Sequence, residues 1–409
     1  MIRSFYSRRN FLKQSTIGFT GLILFNDIQI WAEENAITIA ELDIFPVLYP
    51  MTGRFKFFEG PEGHMMGRAA VIIKITSSNG IVGWGESVPI PKWSYETLET
   101  VSTTIRNYLK PVLIGHNVFD LYGAHNIMNH NIADSFSTGQ PIAKAGIDIA
   151  LHDLVGKLMH RSLPGMWGRN PIDKIELSWT LNPKRLEELE PLIEDGLKRG
   201  YRHFNVKVAP DTRFDTELCR IVKLHVPDGF LWADANGGYD LASALDIAPK
   251  LADIGVDVLE QPIPVNQLSG YRQLKKQGAL PIIMDEGIIS PTTLIEFIRL
   301  DLLDGVAMKP ARCGGLISAK RQIEILQDSG LMFLGSGLTD PDISLAATLA
   351  LYGAFQYKLP AALNGPQFIK TSVLKNPLLP QNGYLAIPKG EGLGIEVDEN
   401  KIKEIAVKI

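Results

Sequence analysis

Cysteine is nearly absent. Cys219 and Cys313 are the only two in 409 residues and lie far apart, which supports neither a disulfide framework nor a thiolate metal site. Histidine is scarce where zinc would need it. None of the eight ends a candidate strand; His203 precedes one, and the rest fall in helices, loops or the first domain. Positive charge is not in excess. A net charge of −4 leaves no basic footprint, so nucleic acid is excluded as a partner. Long apolar runs are missing too. Ile17–Phe25 is too short to span a bilayer, so no stable membrane insertion is expected.

The N-terminus does carry Ser7-Arg8-Arg9-Asn10-Phe11-Leu12-Lys13, followed by that modest apolar stretch. The combination resembles a twin-arginine export signal, with Ala32 the nearest small residue to a cleavage point. Residues 1–35 are therefore read as a targeting segment and left out of the fold. The expected location is periplasmic or exported, and cytoplasmic if the signal does not act. Twin-arginine export carries folded proteins, which suits a protein that takes up its metal before leaving the cytoplasm.

The remainder divides in three. Residues 36–165 predict a small α+β capping domain. It has a strand over Ala36–Phe45 and a Gly- and Pro-rich loop over Tyr49–Met66, with Phe55, Phe57 and Phe58 exposed. A hairpin follows, Ala69–Thr76 and Ile81–Glu86 about the turn Ser78-Asn79-Gly80, then a helix over Tyr95–Tyr108 and an amphipathic helix over Ile142–Lys157. Residues 166–382 alternate strand and helix. The first strand is Ile175–Thr180, and its return helix Pro183–Arg199 is closed by Gly200. The seventh strand is Leu331–Gly335 and a short eighth is Ala361–Leu363. Residues 383–409 form a tail expected to return to the first domain. The fold class is α/β: a (β/α)7β-type modified TIM barrel with an N-terminal α+β capping domain.

Between Phe204 and Leu316, five successive apolar runs each end in a charge: Lys207, Asp234, Glu260, Asp285 and Lys309. The steps between them are 27, 26, 25 and 24 positions, the length of a strand plus its helix. That places one charge at the C-terminal end of each of five barrel strands, where barrel active sites lie. Three hard carboxylates without histidine or cysteine suit Mg²⁺ rather than Zn²⁺. The structural reading of the same residues is that each carboxylate is a helix N-cap. Lys207 and Lys309 frame the carboxylates and face each other across the mouth. A divalent cation and a second lysine favour the neutral form of one, so one acts as base and the other as acid. Their structural reading is as salt-bridge partners of the carboxylates. Together the five fit removal of a proton α to a carboxylate, whose enediolate needs strong electrostatic stabilisation.

The matching stretches are Gly83-Trp84-Gly85-Glu86-Ser87, Ala143–Lys157, Val206-Lys207-Val208, Asp234-Ala235-Asn236-Gly237, Glu260-Gln261-Pro262, Asp285-Glu286, and Lys309 through Cys313-Gly314-Gly315-Leu316. In this order and spacing the chain resembles the enolase superfamily, muconate-lactonizing enzyme subgroup (mandelate racemase/muconate lactonizing enzyme family), over nearly everything after the signal. The resemblance implies Mg²⁺ on Asp234, Glu260 and Asp285, and Lys207 and Lys309 as the acid/base pair on opposite faces of a small-molecule carboxylate substrate. It implies Asn236 and Glu286 as support beside the site, and a homo-oligomer.

Three departures from the family's pattern stand out, the first bearing on the tuning of Lys207. The family's Lys-x-Lys is Asn205-Val206-Lys207. The seventh-strand loop, Gly335 to Asp342, lacks the usual Glu. The eighth strand reads Ala362-Leu363-Asn364, where dipeptide epimerases carry Asp-x-Asp to grip an ammonium. An unblocked dipeptide is therefore disfavoured. Thr339, Asn364 and Phe55 are the candidate substrate contacts. The loops Met51–Met66 and Pro89–Tyr95 are expected to set specificity through a lid of Phe55, Phe57, Phe58, Met65, Met66 and Trp93. Arg54 or Lys56 is available for a second anion. The first expectation is an Mg²⁺-dependent racemase or epimerase acting on an N-substituted amino acid or related carboxylate. The alternatives are a cycloisomerase or syn-elimination enzyme, of muconate-cycloisomerase or o-succinylbenzoate-synthase type, and a non-catalytic carboxylate-binding protein.

Overall fold

The β-branched run of the first hairpin builds a three-stranded antiparallel sheet in the order β1 (Ile39–Tyr49), β2 (Arg68–Ser77), β3 (Val82–Ser87). The computed structural model describes residues 37–60, 66–134 and 138–409, so the twin-arginine segment and Met65 lie outside the described residues. Across the sheet lies the helix Pro141–Leu158. Gly83 and Gly85 let it approach closely: a Cβ at either would come within 2.2 Å of Ala150 O or 1.9 Å of Gly146 O.

That helix is buried nearly all round, which corrects the amphipathic expectation. One face covers the cap sheet and the other meets the barrel. Asp148 Oδ2 accepts from Leu316 N at 2.5 Å, and Asp153 accepts from Trp84 N and Leu393 N, each at 2.9 Å. A helix with two covered faces has no polar side to show. The helix expected over Tyr95–Tyr108 starts later, at Leu98, under a capping box between Thr97 and Thr100, and widens into a π-type turn over Ile105–Leu109, and a further helix, Leu121–Asn131, precedes Pro141–Leu158.

The loop aromatics also correct the sequence reading. Phe55 and Phe58 are buried and Phe57 is half-buried. Phe55 stacks on Phe368 with ring centroids 4.9 Å apart, and the Arg68 guanidinium lies 5.3 Å from the Phe58 ring centre.

Seven parallel strands follow in the order β11-β10-β9-β8-β7-β6-β5. They are β5 (Ser178–Leu181), β6 (His203–Lys207), β7 (Leu231–Asp234), β8 (Val258–Glu260), β9 (Ile282–Met284), β10 (Gly305–Met308) and β11 (Met332–Gly335). The expected first strand splits. Its front half, β4 (Lys174–Glu176), pairs antiparallel with β12 (Tyr384–Ala386), and only Ser178–Leu181 enters the barrel. The eighth strand is reduced to two bridges, Leu177 with Ala361 and Ser336 with Ala362, which close the ring.

Trp232, Val258, Ile283, Ala307, Leu334 and Ala362 form one buried apolar cluster inside the barrel. Each sits two positions before Asp234, Glu260, Asp285, Lys309, Ser336 and Asn364 respectively. Side chains two apart on a strand share a face, so an apolar floor supports a polar layer at the mouth. The tail runs back over the cap, where Lys74 pairs with Glu399 at 2.6 Å and Val47 bridges Ala406. Among the described residues no helix is long and apolar enough to cross a membrane.

Candidate active site

Strand register aligns Lys207 with Asp234, and Asp234 with Glu260. Asp234, Glu260 and Asp285 each bring a carboxylate oxygen within 4.8 Å of the others, and all three are buried. They are not helix caps. Asp240 and Ser290 cap the helices that follow β7 and β9, accepting from Ser243 N at 2.7 Å and Thr293 N at 3.1 Å, and the helix after β8 has no side-chain cap.

Each carboxylate is oriented by a neighbour. Asp234 Oδ1 accepts from Asn236 N at 2.9 Å, and Glu260 Oε2 accepts from Trp232 Nε1 at 2.5 Å. Asp285 Oδ1 accepts from the buried Arg312, and its own N–H donates to Gln261 Oε1 at 3.0 Å. Lys207 Nζ bonds Asp234 Oδ2 at one end of the row. Lys309 Nζ bonds Asp285 Oδ2 at the other end and stands 3.9 Å from Glu260 Oε1.

The donor set fits a hard divalent cation. Glu260 Oε1 is buried without a hydrogen-bond partner. Burial, followed by the charges of Asp234 and Asp285, pushes the Glu260 carboxyl well above its usual range. A cation at the triad would relieve both. Burial lowers the affinity of Lys207 for its proton, but the carboxylates of Asp234 and Glu260 outweigh it and hold the ammonium form. The neutral lysine expected from sequence therefore needs the charge of the cation to offset those carboxylates.

Above this row opens a cavity. Its barrel wall includes Lys207, Lys309, Asn205 and Asn364, its seventh-strand wall runs from Ser336 to Thr339, and its roof is Phe55, Phe57, Ile90 and Trp93. Lys207 Nζ is 5.8 Å from the Phe55 ring centre and Lys309 Nζ is 4.9 Å from that of Trp93, so each lysine has its own aromatic cover.

The remaining candidates scatter. Asn205 lies in the floor layer with Nδ2 unpartnered, and Asn364 donates to Thr180 Oγ1 at 3.2 Å with Oδ1 unpartnered. Asn236 adopts φ 45° and Thr339 φ 53°, and both line the cavity. Glu286 does not line it; the side chain faces a second hollow with Trp93 and Arg312. Burial and then the charge of Asp285 raise its carboxyl to about 8. Phe58 and Met66 are not part of the lid: Phe58 packs against Arg68, and Met66 is exposed. Arg54 is already engaged by Glu59 at 3.0 Å and Asn182 O at 2.8 Å. Lys56 makes no hydrogen bond or ion pair among the described residues. Burial and then the charge of Lys207 bring its ammonium down to about 8.

Sequence reasoning missed Trp232 and Arg312. The signal for Trp232 was its place two residues before Asp234 on one strand. For Arg312 it was a charge three residues past Lys309 in the same turn.

Residues 188–401 match the family described as enolase C-terminal domain-like, and residues 62–168 match the mandelate racemase/muconate lactonizing enzyme N-terminal domain. A chloromuconate cycloisomerase of Cupriavidus necator is 31% identical over 340 residues, covering 81% of this chain and 90% of that protein. An N-succinyl-L-Arg/Lys racemase of Bacillus cereus is 25% identical over 374 residues, covering 90% of this chain and 98% of that protein. The muconate lactonizing enzyme of Pseudomonas fluorescens, solved with muconolactone, superposes with a TM-score of 0.84 at 25% identity over 91% of this chain and 100% of that one.

Proposed function

The chain belongs to the mandelate racemase/muconate lactonizing enzyme family of the enolase superfamily, and from that premise we propose an isomerase that forms and collapses an enediolate at the carbon α to a carboxylate. One observation carries the reading. Three buried carboxylates stand together with Lys207 bonded at one end and Lys309 at the other, and one cavity is lined by both lysines and by Asp234 and Glu260.

Asp234, Glu260 and Asp285 would hold Mg²⁺, which when bound supplies positive charge against the negative charge that develops on the substrate. Trp232, Asn236 and Arg312 fix the three carboxylates. Phe55 and Trp93 keep water from the two lysines.

The relatives favour cycloisomerisation over the racemase outcome that the sequence reading put first. In that reaction one carboxylate oxygen of a dienedioate bonds to a diene carbon. The displaced electron pair moves into the other carboxylate as an enediolate. A lysine ammonium then gives its proton to the α carbon and is reprotonated from water. Lys56, between the roof residues Phe55 and Phe57 and without an ion pair among the described residues, would meet the second carboxylate of such a substrate.

Racemisation or epimerisation is the second reading. It rests on a lysine at each end of the triad, which allows removal of a proton on one face and return on the other, and on the likeness to the racemase. A non-catalytic binding protein has only Asn205 and the altered seventh-strand loop in its favour. Export of the folded chain and assembly of identical copies belong to the same proposal.

The test is incubation with Mg²⁺ in D₂O, separately with cis,cis-muconate and with single enantiomers of N-succinylamino acids. Lactone carrying deuterium at the α carbon supports the first reading. Loss of optical activity with α-deuteration supports the second. Tight binding without either product sinks both.

A further inference from the structure

Arg68, the first residue of β2, is fully buried and has no carboxylate within hydrogen-bond reach among the described residues. A guanidinium carries five N–H donors. Here all are used, and every acceptor is a backbone carbonyl. Nε donates to Thr339 O at 3.1 Å. Nη1 donates to Ala69 O at 2.6 Å and Pro89 O at 2.7 Å. Nη2 donates to Val88 O at 2.8 Å and Leu338 O at 2.9 Å.

The acceptors come from three places. Ala69 is on the residue's own strand. Val88 and Pro89 begin the cap loop that leads to Ile90 and Trp93 in the roof. Leu338 and Thr339 are the cavity's seventh-strand wall. The guanidinium also lies 5.3 Å from the ring centre of Phe58, and Phe58 packs on Phe55 at 5.9 Å. One cation thus gathers the roof loop, the aromatic loop and the barrel loop that face the substrate.

Its countercharges stand off. Asp340 and Glu86 oppose it without bonding to it. Asp340 Oδ1 accepts from Ser344 Oγ at 3.0 Å, and Glu86 accepts from Ser344 N at 3.0 Å and Tyr49 Oη at 2.7 Å. The same residues tie the cap to the helix that follows the seventh-strand loop. Thr339 sits at φ 53°, a conformation an L-residue with a branched side chain rarely adopts unless it is held there.

We infer that Arg68 is a positioning residue that locks the cap over the seventh-strand loop and so fixes the shape of the substrate cavity. It touches no reacting atom. Its loss frees both loops at once and lowers the occupancy of the closed cavity, so substrate binding weakens while the lysines and the triad still transfer protons.

The experiment compares the full chain with Arg68→Lys and Arg68→Met. Lysine keeps the charge but has three donors and cannot reach five carbonyls. Methionine keeps the stem and loses the charge, and should it fail to fold, the lysine variant carries the test alone. The first readout, amide hydrogen exchange without substrate, does not depend on the proposed reaction. Residues 88–93 and 337–342 are expected to lose protection together by about tenfold or more, with β6 to β10 unchanged. The second readout is steady-state kinetics on whichever substrate the isomerase assay yields. KM is expected to rise about tenfold or more while kcat changes by less than about threefold. Unchanged protection of both loops overturns the inference, and so does a loss spread evenly over the barrel strands. A fall in kcat at constant KM also overturns it.

Discussion

Trp232 on β7 donates from Nε1 to Glu260 Oε2 on β8 at 2.5 Å, and Glu260 Oε1 is left without a partner. The floor of the barrel thus aims the middle carboxylate of the triad. Trp232→Phe removes the donor while keeping an aromatic ring in the floor. Mg²⁺ affinity is expected to fall about 10- to 100-fold, as for other lost partners of metal-binding carboxylates. Titration calorimetry measures it, and an unchanged dissociation constant would show that the Glu260 carboxylate needs no such support.

Metal should also stabilise the fold. Burial, and then the charges of Asp234 and Asp285, raise the Glu260 carboxyl, so the triad without a cation is unfavourable. With Mg²⁺ at a hundredfold excess over its dissociation constant, stability should rise by about 2.7 kcal/mol. In a thermal scan that is a shift of several degrees, reversed by EDTA. Glu260→Gln should abolish the shift, and a full Mg²⁺ response in that variant counts against the ligand assignment.

Glu86 gives stability a pH dependence. Burial raises its carboxyl to about 7, against the hydrogen bonds from Ser344 and Tyr49 that favour the charged form. An acid raised on folding contributes stability that is full below its unfolded value near 4.5 and lost as pH climbs through 7. Unfolding free energy should therefore decline over that window, by on the order of 3 kcal/mol at most. Glu96, buried at the start of the helix Pro141–Leu158 and also raised to about 7, adds its own share. Urea titrations at several pH values should show a shallower decline in Glu86→Gln. An identical slope removes Glu86 from the account.

If Lys56 meets a second anion as proposed, affinity for that anion should depend on pH in the opposite half of the range. Its ammonium, lowered to about 8, loses its charge as pH rises through that value. Binding of a dicarboxylate should weaken across pH 8, while that of a monocarboxylate of similar size should not. Lys56→Met should lower dicarboxylate affinity by about tenfold at pH 7 and flatten the profile. Equal effects on both ligands would leave Lys56 without a substrate role.

Much of the site was legible because strand and helix lengths repeat. Lys207, Asp234, Glu260, Asp285 and Lys309 end strands at steps of 24 to 27 residues, and that alone brings them to one mouth. What stayed hidden depends on partners distant in sequence or silent in it. Phe55 was read as exposed because Phe368, which covers it, lies over 300 positions away. The helix Pro141–Leu158 was read as one-faced because its second face meets Leu316 and Leu393, residues of the barrel and tail. Arg68 left no trace, since its five acceptors are carbonyls, which every residue has. The split of the first strand followed from pairing with Tyr384–Ala386, a choice made by the tail.

The central claim is that Lys207 and Lys309 move the proton at the α carbon. Its most direct test is deuterium incorporation at that carbon in D₂O with Mg²⁺, for the wild type, Lys207→Ala and Lys309→Ala. The wild type should label its product fully. At least one variant should lose about 10³-fold or more of the labelling rate while still binding Mg²⁺, and in racemisation each variant should lose it on one face of the substrate. Labelling at the wild-type rate in both variants, on every substrate that turns over, would contradict the account.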